Sequence, residues 1–237
     1  MADRKSTESL RGKFIVIDGP DGCGKSTQLE LLGNYLRDKG LDVVSTYDPG
    51  GTKIGNQISR LLKYDAQGPM APTTEVLLFM ASRAQLVNEV IRPAIEQGQT
   101  VLCDRFVSAT CAYQGSMGFP IQQILELARI CTENLWPDLT IILDIPAEVG
   151  LERTGRKRAL SPGSTHTDKG QGHLFRDAVV DRFDSRPLSY HRKVKKEFLR
   201  LPTYYPGPVS IIETAGLDIQ SVQQRIIQEI SSWITKG

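Results

Sequence analysis

Short apolar runs recur along the chain, and most of them end at an acidic residue or just before a turn. Continuous runs of this kind are typical of strands that are buried on both faces of a parallel sheet. They predict five strands, at residues 13–18, 41–47, 100–104, 139–145 and 208–214. Between them, apolar residues recur at the spacing of amphipathic helices, at residues 26–40, 73–98, 121–135 and 218–234. Strands that alternate with helices predict a doubly wound α/β fold, in which helices cover both faces of a parallel sheet.

Length and composition are those of an ordinary globular protein. The chain has 237 residues, of which 40% are hydrophobic and 24% charged, and this balance excludes wholesale disorder. No apolar run approaches the ~18 residues that a membrane span needs, and residues 1–12 are polar, unlike a signal peptide. The four cysteines show neither metal-ligand nor redox spacing, which is typical of reduced thiols. We therefore expect one soluble, cytoplasmic domain over residues 1–237 that begins with a polar tail at 1–12.

The charge of the chain is nearly balanced but unevenly distributed. The formal net charge is +2, which argues against a general affinity for nucleic acid or membrane surfaces. Residues 151–200, however, contain 13 Lys and Arg against 6 Asp and Glu. This local excess of basic residues indicates either a small anionic ligand or a solvated helix face.

The segment 19–26, GPDGCGKS, matches the phosphate-binding pattern G-x-x-x-x-G-K-[ST] in full. It lies directly after a predicted strand and before a predicted helix, which is the context that the pattern needs. Its small residues let consecutive backbone N–H groups surround phosphate oxygens, beside the positive end of the helix. Lys25 would reach the β- and γ-phosphates of ATP, and the Ser26 hydroxyl would bind Mg²⁺. The predicted cofactor-binding residues of this P-loop are Gly19, Asp21, Gly22, Gly24, Lys25, Ser26 and Thr27.

Four motifs in series indicate a family. They are DGPDGCGKSTQLELL from residue 18, DPGGTKIGNQISRLL from 48, LLFMASRAQL from 77 and DRFVSATCAYQG from 104. In order and spacing they resemble the thymidylate kinase family, over about residues 13–233. The resemblance implies a P-loop fold of five parallel strands in the order 2-3-1-4-5, and a homodimer. It also implies transfer of the γ-phosphoryl group of ATP to dTMP, giving dTDP, with Mg²⁺ as cofactor. From the small net charge we expect neither a nucleic-acid nor a membrane partner.

The resemblance assigns two residues beside the transferred phosphoryl group. It implies that Arg105 holds the acceptor phosphate and that Asp104 assists Mg²⁺ through water. Both residues come at the end of the third predicted strand, at the sheet edge where ligands of this fold class bind. Phosphoryl transfer to an ionised phosphate needs positioning and several cations rather than a general base.

A basic segment at 153–158 and the motif DRFDSRPLSYHRKVKKEFL from residue 181 look like the lid of this family and the helix after it. The P-loop contains no arginine, as in the bacterial form of the family. The resemblance therefore implies that arginines of the lid spread the transition-state charge. We expect Arg153 and Arg158 in this role, in a lid over 151–180 that carries an inserted loop at 159–175.

The resemblance also assigns the residues that bind the nucleoside. Phe79 and Arg83 are four residues apart and share a helix face; in this family the ring stacks on thymine and the guanidinium donates to its O4. Asp21, which is also placed in the catalytic set, is implied to accept from the 3′-hydroxyl, and we expect Tyr113 to exclude a 2′-hydroxyl. The full set of expected contacts is Asp21, Asp48, Phe79, Arg83, Arg105, Thr110, Tyr113 and Gln114. The chain departs from the usual residues of the family at Tyr47, Ser82, Phe106 and Ala109.

Two other functions stay open on the residues alone. A deoxynucleoside kinase of the same fold phosphorylates a neutral 5′-hydroxyl and needs a carboxylate base, for which Asp48 stands in a suitable loop. The presence of Arg105, suited to an acceptor phosphate, argues against that function. A nucleotide-binding protein without transfer activity is the second alternative, and the complete set of Lys25, Ser26, Asp104 and Arg105 argues against it.

Overall fold

A five-stranded parallel sheet forms the centre of the fold. The computed structural model describes residues 8–65, 68–154 and 186–236. The strands are β1 (Phe14–Asp18), β2 (Val43–Tyr47), β3 (Thr100–Asp104), β4 (Leu139–Asp144) and β5 (Val209–Glu213). Their order in the sheet is β2-β3-β1-β4-β5, and every neighbouring pair is parallel. The predicted topology is confirmed.

Helices connect the strands and cover the sheet. In the described residues they are α1 (Lys25–Asp38), α2 (Lys53–Arg60), α3 (Pro72–Leu86), α4 (Arg92–Glu96), α5 (Val107–Tyr113), α6 (Ile121–Cys131), α7 (Ala147–Arg153), α8 (Leu188–Arg200) and α9 (Ile219–Lys236). Helices α3 and α4 form the predicted helical stretch, but a π-helical turn at Val87–Ile91 joins them. This turn precedes Pro93, which has no N–H group and whose ring clashes with the preceding turn of a regular α-helix. No helix in these ranges is long and apolar enough to cross a membrane.

Alternate residues of β1 face opposite sides of the sheet, and all of them are buried. Phe14 and Val16 belong to a hydrophobic core with residues of α3, α5, α6 and α8. Ile15 and Ile17 belong to a second core with residues of α1 and α9. Leu10, in the predicted polar tail, lies in this second core and is 2% exposed, so the end of that tail packs onto the sheet.

The carboxyl ends of β1, β2 and β3 meet at one edge of the sheet. The strand register pairs Asp104 of β3 with Ile17 of β1 and with Tyr47 of β2. The P-loop follows β1, Asp48 follows β2 and Arg105 follows β3. Because ligands of such folds bind at this edge, the topology brings the predicted site residues to one place.

Candidate active site

The P-loop owes its shape to glycines with positive φ. Gly22 has a φ of +75°, and a Cβ added to it would lie 2.1 Å from the carbonyl oxygen of Gly150 in α7, so the loop can approach α7 only without a side chain. Gly24 has a φ of +96° and forms the N-cap of α1 without a side-chain hydrogen bond. The first N–H groups of α1 have no partner within the helix, which makes this terminus suitable for an anion.

The Lys25 side chain folds back against the P-loop. Its Nζ donates to the carbonyl oxygens of Gly19 at 3.1 Å and of Pro20 at 3.0 Å. The side chain is buried, yet it lines the cavity at the edge of the sheet. The ammonium group is therefore held beside the phosphate-binding loop by neutral carbonyl groups.

Ser26 and Asp104 form a contact between the P-loop and β3. The Ser26 Oγ donates to the Asp104 Oδ2 at 3.1 Å. The other carboxylate oxygen, Oδ1 of Asp104, is buried and accepts no hydrogen bond from the described residues. A hydroxyl and a carboxylate oxygen that accepts no hydrogen bond suit a hard cation such as Mg²⁺, which prefers oxygen ligands and keeps several waters. The residues present fit this ion.

Arg105 binds two carboxylates, those of Asp18 just before the P-loop and of Asp21 within it. Its backbone has a φ of 69°, a left-handed conformation that is uncommon outside glycine. One terminal nitrogen donates to Asp21 Oδ1 at 2.6 Å, and the other lies 3.3 Å from Asp18 Oδ1. Asp18 also accepts from the Ser108 hydroxyl at 2.6 Å. Burial raises the pKa of the Asp18 carboxyl, and the charges of Arg105 and Lys25 oppose that shift.

Tyr113 completes this cluster. Its hydroxyl donates to Asp21 Oδ1 at 2.9 Å and accepts from Arg105 at 3.1 Å. Its ring packs edge-on against Tyr190 and Phe198 of α8, with ring centroids 6.4 and 6.0 Å away. Hydrogen bonds at one end and aromatic contacts along the ring fix its orientation.

Arg83 lies at the other end of the cavity and is 1% exposed. Its Nε donates to Asp48 Oδ2 at 2.6 Å, and its Nη2 donates to Thr110 Oγ1 at 2.9 Å and to the carbonyl oxygen of Phe106 at 3.1 Å. Among the residues described, Nη1 donates a hydrogen bond only to the Met80 sulfur, at 3.2 Å. Since a thioether is a weak acceptor, Nη1 is the nitrogen best able to donate to a ligand. Burial raises the pKa of the Asp48 carboxyl, against the effect of the Arg83 charge.

Gln114 directly follows α5 and contacts a carboxylate on α3. Its Nε2 donates to Glu75 Oε1 at 2.7 Å, and both residues are 3% exposed. Phe79, on the same helix as Glu75, is partly exposed and lines the cavity. Glu75 and Asp18 are not among the site residues predicted from the sequence. The signal for Asp18 was its place at the end of a strand directly before the P-loop, whereas the signal for Glu75 was only its distance of four residues from Phe79.

One cavity of about 1120 Å³ connects the P-loop with the Arg83 end. Its lining contains most of the predicted site residues, namely Asp21, Lys25, Ser26, Asp48, Phe79, Arg83, Asp104, Arg105, Thr110, Tyr113 and Gln114. Arg153 ends α7 as an exposed residue and does not line the cavity. Arg158 and the predicted insertion at 159–175 lie outside the described residues.

Three residues that depart from the family's usual pattern have clear local contacts. The Tyr47 hydroxyl donates to Asn56 Oδ1, which also accepts from the backbone N–H of Gly51. The Ser82 hydroxyl accepts from the backbone N–H of Gly50 at 3.0 Å. Phe106 is fully buried against Phe14, with ring centroids 5.1 Å apart. Tyr47 and Ser82 thus fix the turn after β2 by hydrogen bonds.

Comparison with known proteins gives a consistent result. The family model for thymidylate kinase matches residues 17–226. The chain is 40% identical over 229 residues to a thymidylate kinase of Exiguobacterium sp. strain AT1b, covering 96% of this chain and 98% of that protein. It is 43% identical over 214 residues to one from Roseiflexus sp. strain RS-1, covering 90% and 91% of the two chains. A crystal structure of thymidylate kinase from Ehrlichia chaffeensis matches with a TM-score of 0.68 at 26% identity, covering 93% of this chain and 98% of that chain. The chain therefore belongs to the thymidylate kinase family.

Proposed function

We propose that the cavity binds ATP at the P-loop and dTMP along α3 and α5, and that the γ-phosphoryl group passes from ATP to the phosphate of dTMP. Phosphorylation of dTMP to dTDP is the activity of the family to which the chain belongs. The observation that carries the proposal is the shared cavity, which contains both Lys25 of the P-loop and the buried Arg83. A donor and an acceptor nucleotide can therefore meet within one cavity.

The acceptor determines what chemistry the protein has to supply. A phosphate monoester has a second pKa of about 6, so an oxygen of dTMP is already ionised near neutral pH. That oxygen forms a bond to the γ-phosphorus while the bond to the β-phosphate oxygen of ATP breaks, and ADP leaves. Charge neutralisation and alignment then provide most of the catalysis.

Lys25 and Arg105 neutralise charge on the two sides of the transfer. Lys25 shifts from the carbonyl groups of its own loop to the β- and γ-phosphates. Arg105 binds the acceptor phosphate. The phosphate then replaces a carboxylate, such as that of Asp21, as the hydrogen-bond partner of Arg105. This exchange is supported by the position of Arg105, whose guanidinium nitrogen lies 2.6 Å from the Asp21 Oδ1 of the P-loop.

Ser26 and Asp104 would hold Mg²⁺. When bound, the ion withdraws negative charge from the phosphate oxygens of ATP. The support is the oxygen donor set, in which the Asp104 Oδ1 is buried without a hydrogen bond from the described residues.

The nucleoside of dTMP binds between α3 and α5. The ring of Phe79 stacks on thymine, and the Nη1 of Arg83 donates to O4. Asp21 accepts from the 3′-hydroxyl, and Tyr113 fills the space that a 2′-hydroxyl would need. Thr110 and Asp48 act on the base through Arg83, since both bind its guanidinium directly.

Arg153 and Arg158 supply positive charge that stabilises the negative charge of the transition state. The P-loop itself contains no arginine. Arg153 is exposed at the end of α7 and forms no hydrogen bond or ion pair with the described residues. Its side chain is therefore available to contact a bound nucleotide.

The chain acts as a homodimer in the cytoplasm. Apolar side chains are exposed at Ile54 on α2, Leu61 just after it and Leu77 on α3, with exposed fractions of 51%, 39% and 48%. Helices α2 and α3 pack against each other, and the exposed apolar residues of these neighbouring elements are the support for the dimer. Light scattering after size exclusion tests the dimer: the wild type should have twice the chain mass and Leu77→Asp the mass of one chain. A monomeric wild type would refute it.

The alternative function, a deoxynucleoside kinase, finds less support. It needs a carboxylate that is free to take a proton from a 5′-hydroxyl. The only carboxylate proposed for this task, Asp48, is 1% exposed in its side chain and bound to Arg83 at 2.6 Å. A carboxylate committed to a buried ion pair is a poor general base for a ligand.

A substrate panel tests the proposed function. ADP release is measured with dTMP, dUMP, dCMP, ribosyl-TMP and thymidine as acceptors, and Lys25→Ala serves as the inactive control. We expect dTMP to have the highest kcat/KM, thymidine to be inert, and Lys25→Ala to lose turnover while its circular dichroism stays that of the wild type. Turnover of thymidine in place of dTMP would establish the alternative function.

A further inference from the structure

Two hydrogen bonds connect α3 with α5 and with Gln114, the residue that directly follows α5. Their partners on α3 come one turn before and one turn after Phe79. Glu75, Phe79 and Arg83 are spaced by four residues on α3, so they follow one another along one helix face. Thr110 and Gln114 have the same spacing at the end of α5. Arg83 donates to Thr110 at 2.9 Å, and Gln114 donates to Glu75 at 2.7 Å.

The contact with Glu75 determines which end of the Gln114 amide is available. An ionised carboxylate only accepts hydrogen bonds, so it attracts the amide nitrogen and never the amide oxygen. Glu75 lies in the first turn of α3, where the helix dipole favours a negative charge. Both side chains are 3% exposed, so water does not compete for this hydrogen bond.

The amide oxygen of Gln114 is left for a ligand. Gln114 lines the cavity beside Phe79 and Arg83, and its Oε1 accepts no hydrogen bond from any residue that the structure describes. The base of dTMP presents a donor at N3–H next to an acceptor at O4, whereas cytosine presents an acceptor at N3 next to the donor N4–H₂. An amide oxygen therefore suits thymine and opposes cytosine, because a mismatched pair leaves two acceptors facing each other without a proton.

We propose that Glu75 is a positioning residue for base selection: it holds the Gln114 amide so that the carbonyl oxygen accepts the N3–H of thymine. This inference rests on the proposed function, since it assumes that dTMP binds along α3 and α5. If Glu75 is replaced by glutamine, residue 75 can accept or donate, and the Gln114 amide is no longer fixed in one orientation.

The test compares the affinities of dTMP, dUMP and dCMP for the wild type and for Glu75→Gln, each measured by calorimetry or by displacement of dTMP. We expect Glu75→Gln to lower the preference for dTMP over dCMP by about tenfold or more. The ratio between dTMP and dUMP should change by less than about twofold, because these two bases share N3–H and O4. The double variant Glu75→Gln/Gln114→Glu restores a donor and a carboxylate acceptor in exchanged positions, and should recover preference for dTMP.

A matched control is available on α6. There the Gln122 amide donates to Glu126 at 3.3 Å in an exposed pair, and Glu126→Gln should leave all three affinities unchanged. An unchanged ratio of dTMP to dCMP in Glu75→Gln, or equal losses for all three nucleotides, would refute the positioning role. A wild type that does not phosphorylate dTMP would instead refute the proposed function, so the two failures are distinguishable.

Discussion

Replacing Asp48 with asparagine removes one charge of a buried ion pair and changes little else. Asp48 and Arg83 are in contact at 2.6 Å, and each side chain is 1% exposed. The substitution keeps the size of the side chain, and an amide oxygen can still accept from the Arg83 Nε. What it removes is the compensation for a guanidinium that lies out of water.

The expected cost follows from this burial. Removing one partner of a buried pair typically destabilises a protein by about 3–5 kcal/mol, because the other charge stays buried without compensation. We expect about 3 kcal/mol here, since Arg83 keeps its hydrogen bonds to Thr110 and to the backbone of Phe106. For a chain of this size each kcal/mol lowers the melting temperature by about 2–4 °C, so the decrease should be about 6–12 °C.

Thermal and urea unfolding, followed by circular dichroism, measure this cost. The control is Glu148→Gln, which removes one charge from the Arg192–Glu148 pair, also at 2.6 Å but 63% and 40% exposed in its two side chains. Exposed pairs contribute about 0–1 kcal/mol, so the control should unfold close to the wild type. If Asp48→Asn is no less stable than Glu148→Gln, burial does not determine the strength of the Asp48–Arg83 pair and the reasoning is wrong.

Three further changes test other parts of the site. Asp104→Asn should raise the Mg²⁺ concentration needed for half-maximal turnover by about tenfold or more, in a metal titration at fixed ATP; an unchanged requirement would exclude Asp104 from the metal site. Tyr113→Ala should raise the kcat/KM of ribosyl-TMP relative to dTMP by about tenfold, and an unchanged ratio would show that Tyr113 does not exclude the 2′-hydroxyl. Gly22→Ala should lower both melting temperature and ATP affinity, because its Cβ would meet Gly150, whereas Gly118→Ala, also at positive φ but with no atom within 4 Å of a new Cβ, should leave ATP affinity unchanged.

Much of the fold could be predicted because its strands are buried on both faces. The runs at β1, β3 and β4 are almost wholly buried and therefore mostly apolar. Helix α2 was not predicted, because its buried residues are not the hydrophobic ones. Its buried residues are Gly55 and Ser59, while Ile54 is 51% exposed, so the hydrophobic positions do not mark the face that packs.

The sequence could predict which residues form the site, but not which of their atoms are available to a ligand. The spacing of Phe79 and Arg83 indicated a shared face, and the cavity contains both. It could not indicate that Asp48 and Thr110 already bind two of the three guanidinium nitrogens, since those partners come from other elements of the fold. Which donor is left for a ligand is a property of the packed structure and not of the motif.

The balance of charge at the phosphate end supports the role proposed for the basic block of residues 151–200. Lys25 belongs to the P-loop, and Arg105 already binds the carboxylates of Asp18 and Asp21. ATP and dTMP add several negative charges to this space, which these two cations cannot neutralise. We expect additional positive charge to come from Mg²⁺ and from the lid arginines proposed above, Arg153 and Arg158. The 13 Lys and Arg between residues 151 and 200 begin at the end of α7, and α7 contacts the P-loop through Gly150 and Gly22. This connection, rather than the motif alone, makes that segment the expected source of the missing charge.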